Sequence, residues 1–233
     1  MHKRCLHLFA YLFIATGLTA QVAKTGELPT FRGQYPFVYY TPNDGLVNSR
    51  VKKIWQDSRG LMYFITNGGL SVYDGTRFNN YNVQDGLSNE VVNDVLEISP
   101  DSILVATNIA QLNLLTNGKL SVYKTTDNFS PVVNHFRKSS EGTLYVACDE
   151  GLYKMEGHRF IPLPVLNKQG EPIPNLAESI EWGDYLIIST WSPAQKEKLF
   201  LYNKQQQKVT DAYTDSWIID VVIHNGKEIW ISV

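Results

Sequence analysis

The sequence predicts an all-β protein built from a repeat of about 41 residues. The tripeptide Asp-Gly-Leu at 44–46 recurs at 85–87, and the dipeptide Thr-Asn at 66–67 recurs at 107–108. A short apolar segment recurs with the same spacing at 61–65, 102–106 and 143–147, and no long stretch has helical periodicity. Since one four-stranded blade has this length, we expect an incomplete β-propeller with about four to five blades.

The first repeat divides into four predicted strands. Residues 51–55 form the first strand, 61–66 the second, 70–73 the third and 77–81 the fourth, each rich in β-forming residues. Residues 57–60 form a turn, and Asn67-Gly68-Gly69 predicts a turn that needs a positive φ. Asp74-Gly75 is a two-residue hairpin signal.

Extending the repeat along the chain gives the predicted domain organisation. The propeller covers residues 36–233, with blades at about 44–84, 85–127, 128–168 and 169–213 and an incomplete blade at 214–233. A single blade cannot bury both of its faces, so neighbouring blades must cover each other's apolar side. Because the sequence ends within a predicted second strand, we expect an N-terminal fragment of a longer protein.

The N-terminus predicts export. Lys3 and Arg4 precede an apolar run that ends in small residues, which is typical of a signal peptide cleaved after Ala20, with a linker at 21–35. The alternative is a retained membrane anchor. Cleavage would change the formal net charge from −2 to −4 by removing those two cations, and it would leave one cysteine, Cys148, as a buried residue without a disulfide partner.

Composition excludes several classes of function. Lys and Arg are scattered and the net charge is negative, so we expect no nucleic-acid partner. Neither a metal-binding nor a cofactor-binding motif is present, and we expect no catalytic residues. Asp44, Asp57 and Asp85 fall at turns, where a carboxylate can bind its own backbone. His135 with Glu90 is the one acid–base pair that the repeat places on one rim.

Candidate ligand-binding residues lie on the rim where loops of successive blades converge. One set enters the first strands and the other follows the second strands. The candidates are Asn48, Arg50, Asn89, Glu90 and His135 in the first set, and Asn67, Asn108 and Asp149 in the second. Amides, a guanidinium and carboxylates suit an oligosaccharide ligand. The alternative is that the second set only forms a repeated turn.

The first repeat is similar to a known family. The segments at 44–46, 51–54, 57–66 and 69–74 resemble the two-component regulator propeller repeat, and Ile229-Trp230-Ile231-Ser232 resembles its tryptophan strand. The resemblance covers the chain from about residue 36 onward. It implies the periplasmic sensor of Bacteroides-type hybrid or sensor histidine kinases. The expected parent is anchored in the inner membrane, carries a downstream kinase domain and forms a homodimer.

Three functions follow as expectations. The first is a carbohydrate-sensing input domain of a two-component sensor. The second is a protein-binding propeller scaffold. The third is a carbohydrate-active lyase or glycosidase, which requires carboxylates to converge near the propeller axis.

Overall fold

The computed structural model describes residues 38–126, 131–213, 216, 218, 220–224, 226 and 228–232. The predicted signal peptide and linker lie outside the described residues. Within the described part of the chain, no helix has the length and hydropathy needed to cross a membrane.

Strands follow one another in groups of four along the chain. Blade 1 contains β1 (Val51–Gln56), β2 (Met62–Thr66), β3 (Gly69–Tyr73) and β4 (Phe78–Tyr81). Blade 2 contains β5 (Val92–Ser99), β6 (Ser102–Thr107), β7 (Leu112–Thr116) and β8 (Lys119–Val122). Blade 3 contains β9 (Val133–Lys138), β10 (Leu144–Cys148), β11 (Gly151–Glu156) and β12 (Arg159–Leu163). Blade 4 contains β13 (Leu176–Trp182), β14 (Tyr185–Thr190), β15 (Leu199–Asn203) and β16 (Lys208–Tyr213). Two further strands, β17 (Asp220–His224) and β18 (Glu228–Ser232), form a separate two-stranded sheet.

Each blade is an antiparallel sheet whose strands pair in chain order, so the first strand of every blade is an edge strand. The predicted all-β fold of four-stranded blades in a β-propeller is therefore confirmed. The hairpin between β3 and β4 differs by one position from the prediction. Its central residues are Gly75 and Thr76, because the N–H of Asp74 donates to the carbonyl of Arg77 and the Asp74 carboxylate accepts the N–H of Thr76.

The repeated Asp-Gly-Leu motif closes a short 3₁₀ helix before each of the first two blades. In blade 1 the Asp44 carboxylate accepts the N–H of Thr41 at 2.8 Å, and in blade 2 Asp85 accepts that of Asn82 at 3.0 Å. The glycine that follows has a φ of 106° or 101°, which a residue with a Cβ adopts at a cost. The leucine of each motif, Leu46 or Leu87, is buried. The motif thus has a structural role in both blades.

Hydrophobic cores lie between successive blades. Blades 1 and 2 share a core of Tyr63, Ile65, Leu70, Val72, Leu87, Val92, Val95, Ile103, Val105 and Leu115. A second core joins blades 2 and 3, a third joins blades 3 and 4, and a smaller one joins blade 4 to the β17–β18 pair. Fully burying one leucine contributes about 2 kcal/mol to the free energy of folding. The contacts between blades therefore stabilise their order around the axis.

Candidate functional site

The first strand of every blade contains a β-bulge at the same position. In β1 the pairing with β2 shifts between Val51 and Lys53, which leaves Lys52 as the extra residue. The same shift in β5, β9 and β13 leaves Asn93, Asn134 and Ala177 unpaired. A bulge bends its strand and redirects side chains, and bulges are common next to functional sites. The four bulges therefore form one repeated feature of the first strands.

A cavity of about 310 Å³ lies where these bulges meet, and we call it the axial cavity. All four blades contribute to it. It is lined by Lys52 and Lys53 of blade 1, Asn93 of blade 2, Asn134 and His135 of blade 3, and Ala177, Glu178, Ser189 and Trp191 of blade 4, together with Ile218. The side chains are mainly polar, with one half-exposed indole.

The residue after each bulge belongs to a row in which Lys53 and His135 alternate with the carboxylates of Asp94 and Glu178. Lys53 Nζ lies 2.7 Å from Oδ1 of the buried Asp94. Nε2 of His135 lies 3.9 Å from Oδ2 of Asp94 and 3.7 Å from Oε1 of Glu178. Each contact crosses from one blade to the next, so the row links blades 1 to 4.

Two members of the row also bind the free edge of the next blade's first strand. The N–H of Phe136 donates to Oδ2 of Asp94 at 2.9 Å, and the N–H of Ser179 donates to Nδ1 of His135 at 3.3 Å. Since edge strands leave backbone groups unpaired, these side chains satisfy donors that would otherwise be buried and unbonded.

His135 is neutral in this environment. Burial lowers the pKa of its imidazole to about 4, although the nearby Asp94 carboxylate acts in the opposite direction. Because Nδ1 accepts a hydrogen bond, the ring proton is assigned to Nε2, on the side of the two carboxylates. His135 therefore offers a hydrogen-bond donor to the axial cavity rather than a positive charge.

The asparagines of the bulges tie neighbouring blades together. Asn93 Nδ2 donates to the carbonyl of Val133 at 3.0 Å, and Asn134 Nδ2 donates to the carbonyl of Leu176 at 2.9 Å. These two carbonyls occupy equivalent positions, each one residue before a bulge. Asn134 Nδ2 also donates to Oδ1 of Asp149 at 2.8 Å, so its amide hydrogens are engaged within the protein.

The structure brings two of the predicted site residues to this cavity or next to it. His135 lines the axial cavity, and Asp149 lies beside it through Asn134. His135 lies within β9 rather than in the loop that enters this strand. The carboxylates near His135 are those of Asp94 and Glu178 rather than Glu90, whose side chain is exposed.

The other predicted residues take part in turns at the ends of the strands. Oδ1 of Asn48 accepts the N–H of Arg50 at 2.8 Å, and Oδ1 of Asn89 accepts the N–H two residues later at 2.9 Å. The backbone N–H groups of Asn67, Asn108 and Asp149 donate to the carbonyls of the residues that directly precede β1, β5 and β9, which are Arg50, Val91 and Val132. These repeated bonds are what the turn interpretation of the second set requires.

Sequence reasoning missed Lys52, Lys53, Asp94, Glu178 and Trp191. A signal was present, because Lys53, Asp94 and His135 are separated by 41 residues each time. The fourth member, Glu178, follows after 43 residues and was obscured by that difference. Among the described residues, no group of three or more His, Cys, Asp or Glu side chains could hold a metal ion.

Comparison with protein-family models and with curated proteins finds no match. Solved structures do match. The extracellular domain of BT3049, described as a hybrid two component system of B. thetaiotaomicron, is 23% identical, with a TM-score of 0.66 over 83% of this chain and 29% of that chain. PorZ, a surface component of the type-IX secretion system of Porphyromonas gingivalis, is 12% identical, with a TM-score of 0.58 over 83% of this chain and 33% of that chain.

A third match is an enzyme. Virginiamycin B lyase from Staphylococcus aureus is 12% identical, with a TM-score of 0.56 over 77% of this chain and 61% of that chain. The matched proteins differ in activity, and identities this low establish the fold alone. The chain is thus a β-propeller with a polar axial cavity, and it spans 29% of the length of the BT3049 chain.

Proposed function

We propose that the chain is an exported, ligand-sensing β-propeller that serves as an input domain of a two-component sensor histidine kinase. The observation that carries this proposal is the axial cavity, to which all four described blades contribute polar side chains. A ligand bound there contacts several blades at once, and a change in their spacing is a signal that a propeller can pass onward.

The similarity in fold to the extracellular domain of a hybrid two component system supports the same assignment. It agrees with the resemblance of the first repeat to the two-component regulator propeller repeat. In this proposal the chain is exported to the periplasm, and its parent is anchored in the inner membrane, carries the kinase domain and forms a homodimer.

The proposed ligand is an oligosaccharide. Sugars need hydrogen-bond donors and acceptors together with a flat apolar surface. The axial cavity offers the Nε2–H of His135, the carboxylate of Glu178 and the exposed indole of Trp191. The two polar groups suit the hydroxyl groups around the edge of a sugar ring. The indole suits the apolar face of the ring.

Binding by the purified chain tests the proposal. We expect at least one oligosaccharide of a diverse panel to bind in isothermal titration calorimetry and to raise the melting temperature. Trp191→Leu should weaken binding, whereas Tyr39→Leu, at an exposed aromatic residue that does not line the axial cavity, should not. Absence of binding across the panel would refute the carbohydrate-sensing function.

A carbohydrate-active enzyme is the second candidate, because Asp94, His135 and Glu178 meet near the axis. Two features oppose it. Asp94 is buried and bound to Lys53, and a histidine with a pKa of about 4 is a weak base at neutral pH. Incubating the bound oligosaccharide with the protein and analysing the products separates the two functions, since a sensor leaves its ligand intact.

A further inference from the structure

The charge of the axial cavity changes from one side to the other. Blade 1 contributes the two lysines, Lys52 and Lys53, and blade 4 contributes Glu178 and the indole of Trp191. The side chains of blades 2 and 3 between them, Asn93, Asn134 and His135, are uncharged. A ligand that lies across the cavity therefore meets a cationic end and an acidic, aromatic end.

The two lysines differ in the charge that they can offer. Lys53 is neutralised by Asp94 at 2.7 Å. Lys52 is exposed, and its Nζ contacts a neutral group, the amide oxygen of Asn93, at 3.4 Å. A lysine ammonium has three N–H donors, so donors remain for an anion, and a charge-assisted bond is about twice as strong as a neutral one.

The opposite end is built to hold a flat, uncharged ring. The backbone N–H of Trp191 donates to the carbonyl of Asn175 at 3.1 Å. The buried Lys198 donates from Nζ to the carbonyls of Ser192 and Gln195, which braces the loop that follows Trp191. These bonds hold the backbone that carries the indole, so little backbone entropy is lost when a ligand stacks on the ring. The Glu178 carboxylate lines the same cavity from blade 4, where it can accept a hydroxyl group but would repel a second anion.

Building on the proposed function, we infer that the ligand is a short oligosaccharide with one carboxylate, oriented so that its uronate residue lies at Lys52 and a neutral ring lies at Trp191. A densely anionic saccharide does not fit, because it would place negative charge against Glu178. The volume of about 310 Å³ is at the lower end of that of ligand pockets, which favours a short ligand.

The test compares two probes on the whole chain. One is a disaccharide that contains a single glucuronic acid residue, and the other is its carboxyl-reduced, neutral counterpart. We expect the acidic disaccharide to bind about tenfold more tightly in calorimetry at low salt, and added salt should reduce the difference. Equal affinity for the two probes would overturn the inference.

A pair of variants tests whether Lys52 supplies the positive charge that binds the acidic disaccharide. Lys52→Gln should abolish the preference for the acidic disaccharide, whereas Lys119→Gln, at an exposed lysine of the outer strand β8, should keep it. Far-ultraviolet circular dichroism verifies that both variants are folded. A preference that survives in Lys52→Gln would overturn the inference.

The outcomes separate this inference from the function on which it rests. If neutral oligosaccharides bind and Trp191→Leu weakens them, but the acidic probe has no advantage, the sensor function stands and the acidic ligand class is wrong. If neither probe nor any oligosaccharide of the panel binds, both the carbohydrate-sensing function and the acidic ligand class are wrong.

Discussion

Nδ1 of His135 in β9 accepts the backbone N–H of Ser179 in β13 at 3.3 Å, which joins blades 3 and 4 beside the axial cavity. Protonation of the ring would place a hydrogen on Nδ1, so that two donors would face each other. The charged groups near the ring are the carboxylates of Asp94 and Glu178 and the cations of Lys53 and Arg137. Neutral imidazole is therefore part of the folded structure.

Acid should destabilise the protein through His135. Its pKa in the folded state, about 4, is below the ordinary value of 6.5, so the unfolded chain binds the proton more tightly. The contribution to stability is fully present above pH 6.5 and decreases as the pH falls towards 4, by roughly 3 kcal/mol in total. Urea unfolding at a series of pH values measures this decrease.

Matched histidine variants isolate that effect from the titration of carboxylates. His135→Asn keeps an acceptor for the Ser179 N–H and removes the titrating group, so the variant should lose less stability between pH 6.5 and 4.5 than the wild type does. The same urea series on His158→Asn, at an exposed histidine, controls for the substitution of a histidine by asparagine. Identical pH profiles for His135→Asn and the wild type would contradict the assignment.

Asp57 should be essential for the first blade. Its buried carboxylate accepts the N–H groups of Arg59 and Leu61, both at 2.9 Å, and it also binds the Arg59 guanidinium and the Tyr63 hydroxyl. Asp57→Ala should lower the free energy of unfolding by about 2–4 kcal/mol because several buried donors lose their acceptor. Asp101→Ala, which removes the exposed partner of Arg59, should cost less than about 1 kcal/mol in the same chemical denaturation experiment.

Gly69 should tolerate no side chain. It has a φ of 128°, and a Cβ at this position would lie 2.4 Å from the carbonyl oxygen of Tyr81 in β4. Gly75 also has a positive φ, 93°, but a Cβ there would meet nothing within 4 Å. Gly75→Ala should therefore cost about 1–2 kcal/mol through backbone strain alone. Gly69→Ala should lower the free energy of unfolding by more than that. Equal melting temperatures for the two variants would show that β4 moves aside freely.

Cys148 should report opening of the third blade. The thiol is fully buried in the core between blades 2 and 3, and burial raises its pKa, so the reactive thiolate is scarce. We expect a thiol reagent to react with the native protein only as fast as the core opens, and at once in denaturant. A cysteine introduced by Ser121→Cys at an exposed site provides the fast reference. Rapid labelling of native Cys148 would contradict its burial.

Sequence spacing predicted the blades because each one repeats the same local turns and apolar strands. The bulge positions carry a lysine, two asparagines and an alanine, so residue type gave no signal of their equivalence. The row of contacts between blades also depends on how the blades curve around the axis. This curvature brings Asp94 to His135 and Asn93 to Val133 across the gap between sheets. Conversely, Asn48 and Asn89 looked like ligand contacts because the sequence does not reveal that each accepts a nearby backbone N–H.

The four bulges separate the surface of the axial cavity from the cores that hold the blades together. Lys52 and Ala177 are outside the hydrophobic clusters, so their side chains can vary at little cost to blade packing. Asn93 and Asn134 are also outside the clusters, but their amides join neighbouring blades. A combinatorial library at codons 52 and 177 would sample several cavity chemistries on one scaffold. The same arrangement gives natural selection a route to new ligand preferences by exchanging single side chains while the propeller stays intact.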